Sequence, residues 1–512
     1  MANNHYDVII IGTGAGGGTL AHKLASSGKK ILILERGKFL PQEKANWDGR
    51  QVFQKGCYRP QETWYDKNGK PFHPVTHYFV GGNTKFYGGA LFRFREQDFE
   101  QVTHQDGISP EWLLKYRDFA PYYDEAEKLY EVHGNHGLDP TEPPREAKYP
   151  FPAISHEPYI QGINDALINK GLHPFHLPMG IKLQEKSIHS YCIRCNTCDG
   201  FPCFIHGKAD ADINGIRPAI QFENIHLITE AKVLRLHTSP SGKEVTGLVA
   251  EIDGKSQIFT ADIFVVACGA INSAVLLLKS ANDHHPYGLA NSSQLVGCNY
   301  MTHKYNVVVT LSTKRNPTIF QKTLGINDFY WGEPDFPYPM GNIQLLGNLP
   351  KDRIAANAPP LTPDFINEYI ANHSVAWLLI TEDLPDLYNR VALKGDKIYL
   401  HYKENNRQAS NRLLHRWLEV LKKTAPQYNQ GHISSFLVEK MTLKEVSHQC
   451  GTCRFGDDSK TSVLDINCRT HDVDNLYVVD GSFFPSSTAL NPSLTIMANA
   501  LRVGEHLLAR IK

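Results

Sequence analysis

The chain has no excess of either charge: Lys plus Arg and Asp plus Glu number 53 each. That balance excludes the basic footprint of a nucleic-acid binder and gives no pull toward an anionic membrane. Also missing is any apolar run of roughly 18 residues, so no transmembrane helix is predicted. The first residues, "MANNHYDVIIIG", enter a strand almost at once and leave no room for a signal peptide, which predicts a cytoplasmic protein. In that compartment the ten cysteines are expected as thiols or metal ligands rather than disulfides. No repeat, low-complexity tract or long linker is present. What is there is a 512-residue chain, 41% hydrophobic and 21% charged, with ample length for a core.

Apolar runs at 6–11 ("YDVIII") and 31–35 ("ILILE") flank a helical pattern and predict a βαβ unit. Further strands are predicted at 226–236, 246–252 and 262–270, the last running into the helix "AINSAVLLLKSA". Near the end, "NLYVVDG" reads as a buried strand and "PSLTIMANALRVGEHLLARI" as a helix. Between them, "NVVVTLS", "MGNIQLLG", "SVAWLLI" and "KIYLHY" are strand candidates separated by polar loops. The expected architecture is α/β. A Rossmann-like nucleotide domain is assembled from 1–100, 205–300 and 440–512. An inserted α+β substrate domain, mostly antiparallel sheet, occupies 101–204 and 301–439.

"IIIGTGAGGG" places Gly12, Gly14 and Gly17 in the G-x-G-x-x-G spacing between a strand and a helix. Gly12 permits the tight turn, Gly14 lets backbone amides approach a pyrophosphate, and Gly17 permits close packing of the helix. Ala15 opens that helix, whose N-terminus faces the phosphate charge. Glu35 closes the second strand where an acid holds ribose hydroxyls, with Arg36 next to it. Without these partners the triplet would be only a glycine-rich turn. The chain shows no second fingerprint for a nicotinamide partner, and the unit needs a distant C-terminal strand and helix. Both favour FAD over NAD.

In "SHQCGTCRFG" (447–456), His448, Cys450 and Cys453 fit metal ligands, a redox pair, or a catalytic base with two bystanders. Downstream, Asn491 fits an N-cap with Pro492 at the first helical position and Ser493 after it. Free amides and partial positive charge at such a terminus would stabilise a reduced flavin ring. Asn491 cannot wholly cap the helix and also reach a substrate.

Taken together, "DVIIIGTGAGGG…LERG", "VGGNTKFYGGALFR" (80–93), "VVACGAINSAVLLLKSA" (265–281) and the tail from 447 resemble the glucose–methanol–choline (GMC) family of FAD-dependent oxidoreductases. The resemblance spans nearly the whole chain. It implies His448 as catalytic base and Asn491 as its partner, a His/Asn form similar to pyranose oxidase and bacterial sugar and glycoside 3-oxidases or dehydrogenases. It implies cofactor contacts at Gly82, Asn83 and Thr84, at Val233, and at Asp480, Gly481, Pro492 and Ser493. The implied chemistry is oxidation of a secondary alcohol, on a sugar or glycoside, to the ketone. Hydride passes to flavin N5 while a neutral His448 takes the hydroxyl proton, and dioxygen or another acceptor reoxidises the flavin.

Departures from the pattern matter too. In pyranose oxidase the matching loop carries a histidine bonded to the flavin, and Phe86 stands at that position here, so FAD is expected to be non-covalent. "CIRCNTCDGFPC" holds Cys192, Cys195, Cys198 and Cys203. Its spacing resembles the start of an iron–sulfur motif, but the fourth interval is one residue too long and no proline follows. Thiols or a local disulfide are favoured over a cluster. The aromatic stretch "DFYWGEPDFPYP" suits sugar stacking or loop packing, and Gln344 is a candidate substrate contact by strand placement. Two rivals are kept: a dehydrogenase of an apolar alcohol or sterol, and a non-catalytic flavin electron relay.

Overall fold

The computed structural model describes residues 5–184 and 190–511. In strands His5–Ile11 and Ile31–Leu34, residues 8–11 and 31–34 are unbroken buried apolar runs, as strands of a parallel sheet covered on both faces require. They pair in parallel, and Ile225–Ile228 extends the sheet on the Ile31–Leu34 side. On the other side Lys255–Val266 runs parallel to His5–Ile11, with Ile9 opposite Phe264. This long strand forks. Its first half pairs antiparallel with Val245–Ile252, and its last residues pair parallel with Leu476–Val478. Segments more than 400 residues apart thus share one sheet, as a discontinuous Rossmann-like unit requires. The predicted run 226–236 is two strands, because Glu230 takes a left-handed φ of 54° and turns the chain into Ala231–Thr238.

A second, fully antiparallel sheet has six strands in the order Ser434–Lys440, Lys304–Ser312, Ser374–Thr381, Asn342–Gly347, Leu324–Ile326 and Phe175–His176. Strand periodicity divides its residues between two faces. Val308, Ile343, Leu345 and Trp377 pack under the helices Pro158–Ile168 and Arg407–Tyr428, around Leu413 and Trp417. Val307, Val309 and Leu346 cluster on the other face. Three of the four predicted insert strands are here. The fourth, Lys397–His401, lies instead in a separate sheet, parallel to Trp64–Asp66 and antiparallel to Arg390–Lys394. Among the described residues no helix is long and apolar enough to cross a membrane.

Candidate active site

The turn after His5–Ile11 is closed to any residue but glycine at two of its three marked positions. Gly12 has φ 101°, and a Cβ there would sit 2.4 Å from the Ala267 carbonyl oxygen. A Cβ on Gly17 would sit 2.0 Å from the carbonyl oxygen of Gly12. Gly14 differs: a Cβ there meets nothing within 4 Å, because this glycine borders a cavity. The helix Ala15–Leu24 starts at that edge with no side-chain cap, so its first amides are free.

Glu35 stands on the same wall. Its Oε2 accepts from the Thr13 amide at 3.1 Å and the Thr13 hydroxyl at 2.5 Å, and its Oε1 from the Gly37 amide at 2.9 Å. Burial pushes its carboxyl upward. Arg36 lies over the Tyr78 ring at 3.6 Å, and Val233 borders the cavity from the hairpin arm. The loop of Gly82, Asn83 and Thr84 is stitched down from three sides. Asn83 accepts from the His77 amide at 2.8 Å, Thr84 donates to the Gly81 carbonyl at 2.6 Å, and Ala211 donates to Thr84 at 3.0 Å. Phe86 follows, with the His77 ring stacked on it at 3.6 Å.

At the far end of the sheet Asp480 ties the C-terminal strand to the helix Ala270–Lys279. Its Oδ2 accepts from the Gly269 amide at 2.9 Å and from the Ser273 hydroxyl, and its Oδ1 from the Ser482 amide at 2.9 Å. Beside it, Gly481 sits so close to the Gln449 carbonyl that a Cβ would be 2.8 Å away. This packing holds the His448 segment against the end of the sheet.

His448 lines the cavity, and its Nδ1 is 2.9 Å from Nδ1 of His303. Burial first, then His303 and Lys322, hold the imidazole well below the ordinary histidine range, so it is neutral near pH 7. The two neighbouring cysteines play no part in the cavity: Cys450 and Cys453 are buried in the main core. Among the described residues no three His, Cys, Asp or Glu side chains come together as a metal site. None of the ten cysteines is joined in a disulfide, and burial pushes Cys192 up to about 11 and Cys198 up to about 12.

Asn491 corrects one expectation. The helix begins at Ser493 with Pro492 in the capping position, and no side chain caps it. Asn491 is occupied elsewhere, since its Oδ1 accepts from Nε2 of Gln344 at 2.6 Å. Gln344 corrects another: it is wholly buried behind Asn491 and is absent from the cavity wall. The stretch from Asp328 also stays out of the cavity. Tyr330 donates to Asp98 at 3.0 Å, and Glu333 pairs with Arg412 and Arg416.

Asn491, Pro492 and Ser493 nevertheless border the same cavity as Gly14, Glu35 and His448. Its volume is about 1390 Å³. Small-molecule pockets commonly hold roughly 300–1,000 Å³, so this one has room for a dinucleotide and a second molecule. Beyond His448 it runs onto the apolar face of the antiparallel sheet, at Val307, Val309, Leu346 and Leu378, under Ile366 and Ile370 of the helix Asp364–His373. A polar corner remains where Lys322 is 3.3 Å from Asp199. His303, Lys322 and Asp199 were not singled out from the sequence. His303 and Lys322 sit in no motif, Asp199 lies within the cysteine segment, and only the fold brings them to His448.

A Rossmann-like glycine turn, a buried histidine and an asparagine thus line one cavity. The chain belongs to the GMC oxidoreductase family, which it matches over residues 6–305 and 395–500. It is an FAD-dependent oxidoreductase acting on CH–OH donors. It is 29% identical to 6'''-hydroxyparomomycin C oxidase of Streptomyces lividus, over 99% of this chain and 93% of that protein. It is 30% identical to paromamine 6'-oxidase of Streptomyces fradiae, over 97% and 90%. Among solved structures, pyridoxine 4-oxidase from "Mesorbium loti" superposes with a TM-score of 0.68 at 18% identity, covering 98% of this chain and 99% of that one.

Proposed function

We propose that this enzyme oxidises a sugar or glycoside hydroxyl, at a secondary carbinol, with His448 as base and Asn491 as the donor facing the substrate oxygen. The observation that carries this reading is the shared cavity: a neutral imidazole and an amide line the same space as the glycine turn and Glu35. The residues fit FAD. Gly12, Gly14, Ala15 and Gly17 form the phosphate turn, Glu35 and Arg36 the ribose end, Val233 the adenosine wall, and 82–84, Asp480, Gly481, Pro492 and Ser493 the flavin end. Bound there, the flavin supplies the acceptor for the carbinol hydride.

His448 takes the hydroxyl proton, a role worth about 10²–10⁴-fold in rate. With its oxygen turned toward Gln344, Asn491 offers its NH₂ group to the developing alkoxide. Phe86 carries no nucleophile, so FAD is held non-covalently. Cys192, Cys195, Cys198 and Cys203 stay thiols rather than cluster ligands, as a reducing cytoplasm maintains them. Support for a sugar-like substrate comes from the two relatives named for aminoglycoside oxidation.

The apolar wall of Val307, Val309, Leu346 and Leu378 favours a second reading, an alcohol with a long apolar portion. Anaerobic absorption spectroscopy decides between them. A panel of sugars, glycosides and long-chain alcohols is added to purified holoenzyme, and the compound that bleaches the flavin names the class. Product analysis then separates ketone from aldehyde, and admitting air separates oxidase from dehydrogenase. Bleaching by alkyl alcohols alone would replace the sugar reading with the second.

A further inference from the structure

We propose that His303 is a positioning residue that sets the tautomer of His448, placing its ring proton on Nδ1 and leaving Nε2 as the basic nitrogen. The inference rests on the reading of His448 as the base and adds what that reading lacks, a reason for one nitrogen to be free.

The argument runs from the protein outward. Nε2 of His303 is 3.1 Å from the Ser487 carbonyl oxygen. A carbonyl only accepts, so this nitrogen carries the proton. Burial holds the His303 imidazole down to about 4, so the ring is neutral and its Nδ1 has a lone pair to offer. Nδ1 of His448 lies 2.9 Å from it and must be the donor. The proton of His448 is thereby committed to Nδ1, and the lone pair to the other nitrogen of the ring.

The anchor is itself fixed. The Ser487 hydroxyl donates to the Asp383 carbonyl at 2.9 Å and accepts from the Asp383 amide at 3.1 Å, at the end of the strand Ser374–Thr381. The rings of His303 and His448 lie at 90° with centroids 5.0 Å apart, so they meet edge-on rather than stacked. Tyr305 lies 3.3 Å from the same His303 nitrogen, a weaker claim on that lone pair. The remaining charges acting on the pair are Lys322 and Asp199 on His448 and Glu382 on His303.

On turnover the substrate proton would move to Nε2 of His448, the Nδ1 proton staying in its hydrogen bond to His303. No second transfer is needed. A neutral imidazole behind the base holds its direction without adding the countercharge that a carboxylate would.

Three holoenzyme variants test this, each read by flavin content, kcat, KM and the pH profile of kcat/KM. His303→Phe removes the acceptor and should lower kcat by ~10²-fold or more with little change in KM. His303→Gln returns an acceptor oxygen and should restore most of the rate. His303→Asp places a carboxylate behind the ring and should move the acid limb up by about 1–3 pH units. Full kcat in His303→Phe while His448→Ala is inactive overturns the proposal and leaves the base reading intact. Full kcat in both overturns the base reading itself. Should His303→Phe fail to fold, an unmoved acid limb in His303→Asp overturns the proposal.

Discussion

Gln344 donates from Nε2 to Oδ1 of Asn491 at 2.6 Å, across 147 residues of sequence. Behind it runs a line of buried amides whose polarity is set at the far end. Asp139, paired with Arg95, can only accept, so Asn327 turns its NH₂ toward it at 2.8 Å. The Asn327 oxygen then accepts from Asn342 at 2.7 Å, and the Asn342 oxygen accepts from Gln344 at 2.7 Å. A carboxylate several side chains away therefore decides that Asn491 keeps its oxygen inward and its donor free.

That relationship predicts the behaviour of Gln344→Leu. Asn491 stays in place but loses the partner that orients it, so its amide is free to turn. Loss of one donor to an oxyanion costs about 10²–10³-fold in kcat, which bounds the effect. Flavin content and KM should change little. Steady-state kinetics check this, and a variant with wild-type kcat would show that Asn491 needs no such support.

His448→Ala should keep its flavin and lose turnover by about 10²–10⁴-fold. The pH dependence of the native enzyme follows from the direction of the shift. The base must be neutral, so activity is lost as pH falls and the ring gains a proton. Because burial, His303 and Lys322 depress its pKa, the acid limb of kcat/KM should lie below the ordinary histidine value of about 6.5. A limb at or above that value would mean that another group titrates.

Acid precipitation should release all the FAD into the supernatant. Phe86 has no nucleophilic atom, but His77 stacks on it and borders the cavity. Nδ1 of His77 is 3.0 Å from the Tyr58 carbonyl, and burial holds that ring down to about 4, so its Nε2 is unprotonated. A yellow pellet would therefore point to His77, and His77→Ala would decolourise it.

The parts legible in the sequence were those whose physics is local. Gly12 and Gly17 announce their turn by steric demand, and the apolar run in Lys304–Ser312 announces a strand. His448 was legible only through its place in the tail pattern. What escaped is non-local. Gln344 was placed as a substrate contact because its strand was right, yet strand position does not tell which layer lies between a side chain and the cavity. Asn491 looked like a cap because asparagine before Pro-Ser usually is one, and tertiary hydrogen bonding took its side chain instead. His303 had no motif at all; it is anchored by Ser487, which lies 184 residues further on.

Two glycines three residues apart should fail in different ways. Gly17→Ala forces a Cβ to 2.0 Å from a backbone oxygen that the turn cannot move, so the apoprotein itself should be destabilised. Overpacking of this kind costs about 1–3 kcal/mol or more, beyond the ~1 kcal/mol that alanine gains over glycine in a helix. Gly14 has φ −67° and ψ −163°, dihedrals that alanine adopts freely, and its Cβ would meet no atom of the protein. Gly14→Ala should therefore melt like the wild-type apoprotein. Its methyl group would stand where the pyrophosphate has to approach the free amides of Ala15–Leu24, so FAD affinity should drop. Thermal melts of the apoproteins and fluorescence titration with FAD separate the two effects. Unchanged FAD affinity in Gly14→Ala would place the phosphates elsewhere in the cavity, and Glu35 would lose its assignment to the ribose with them.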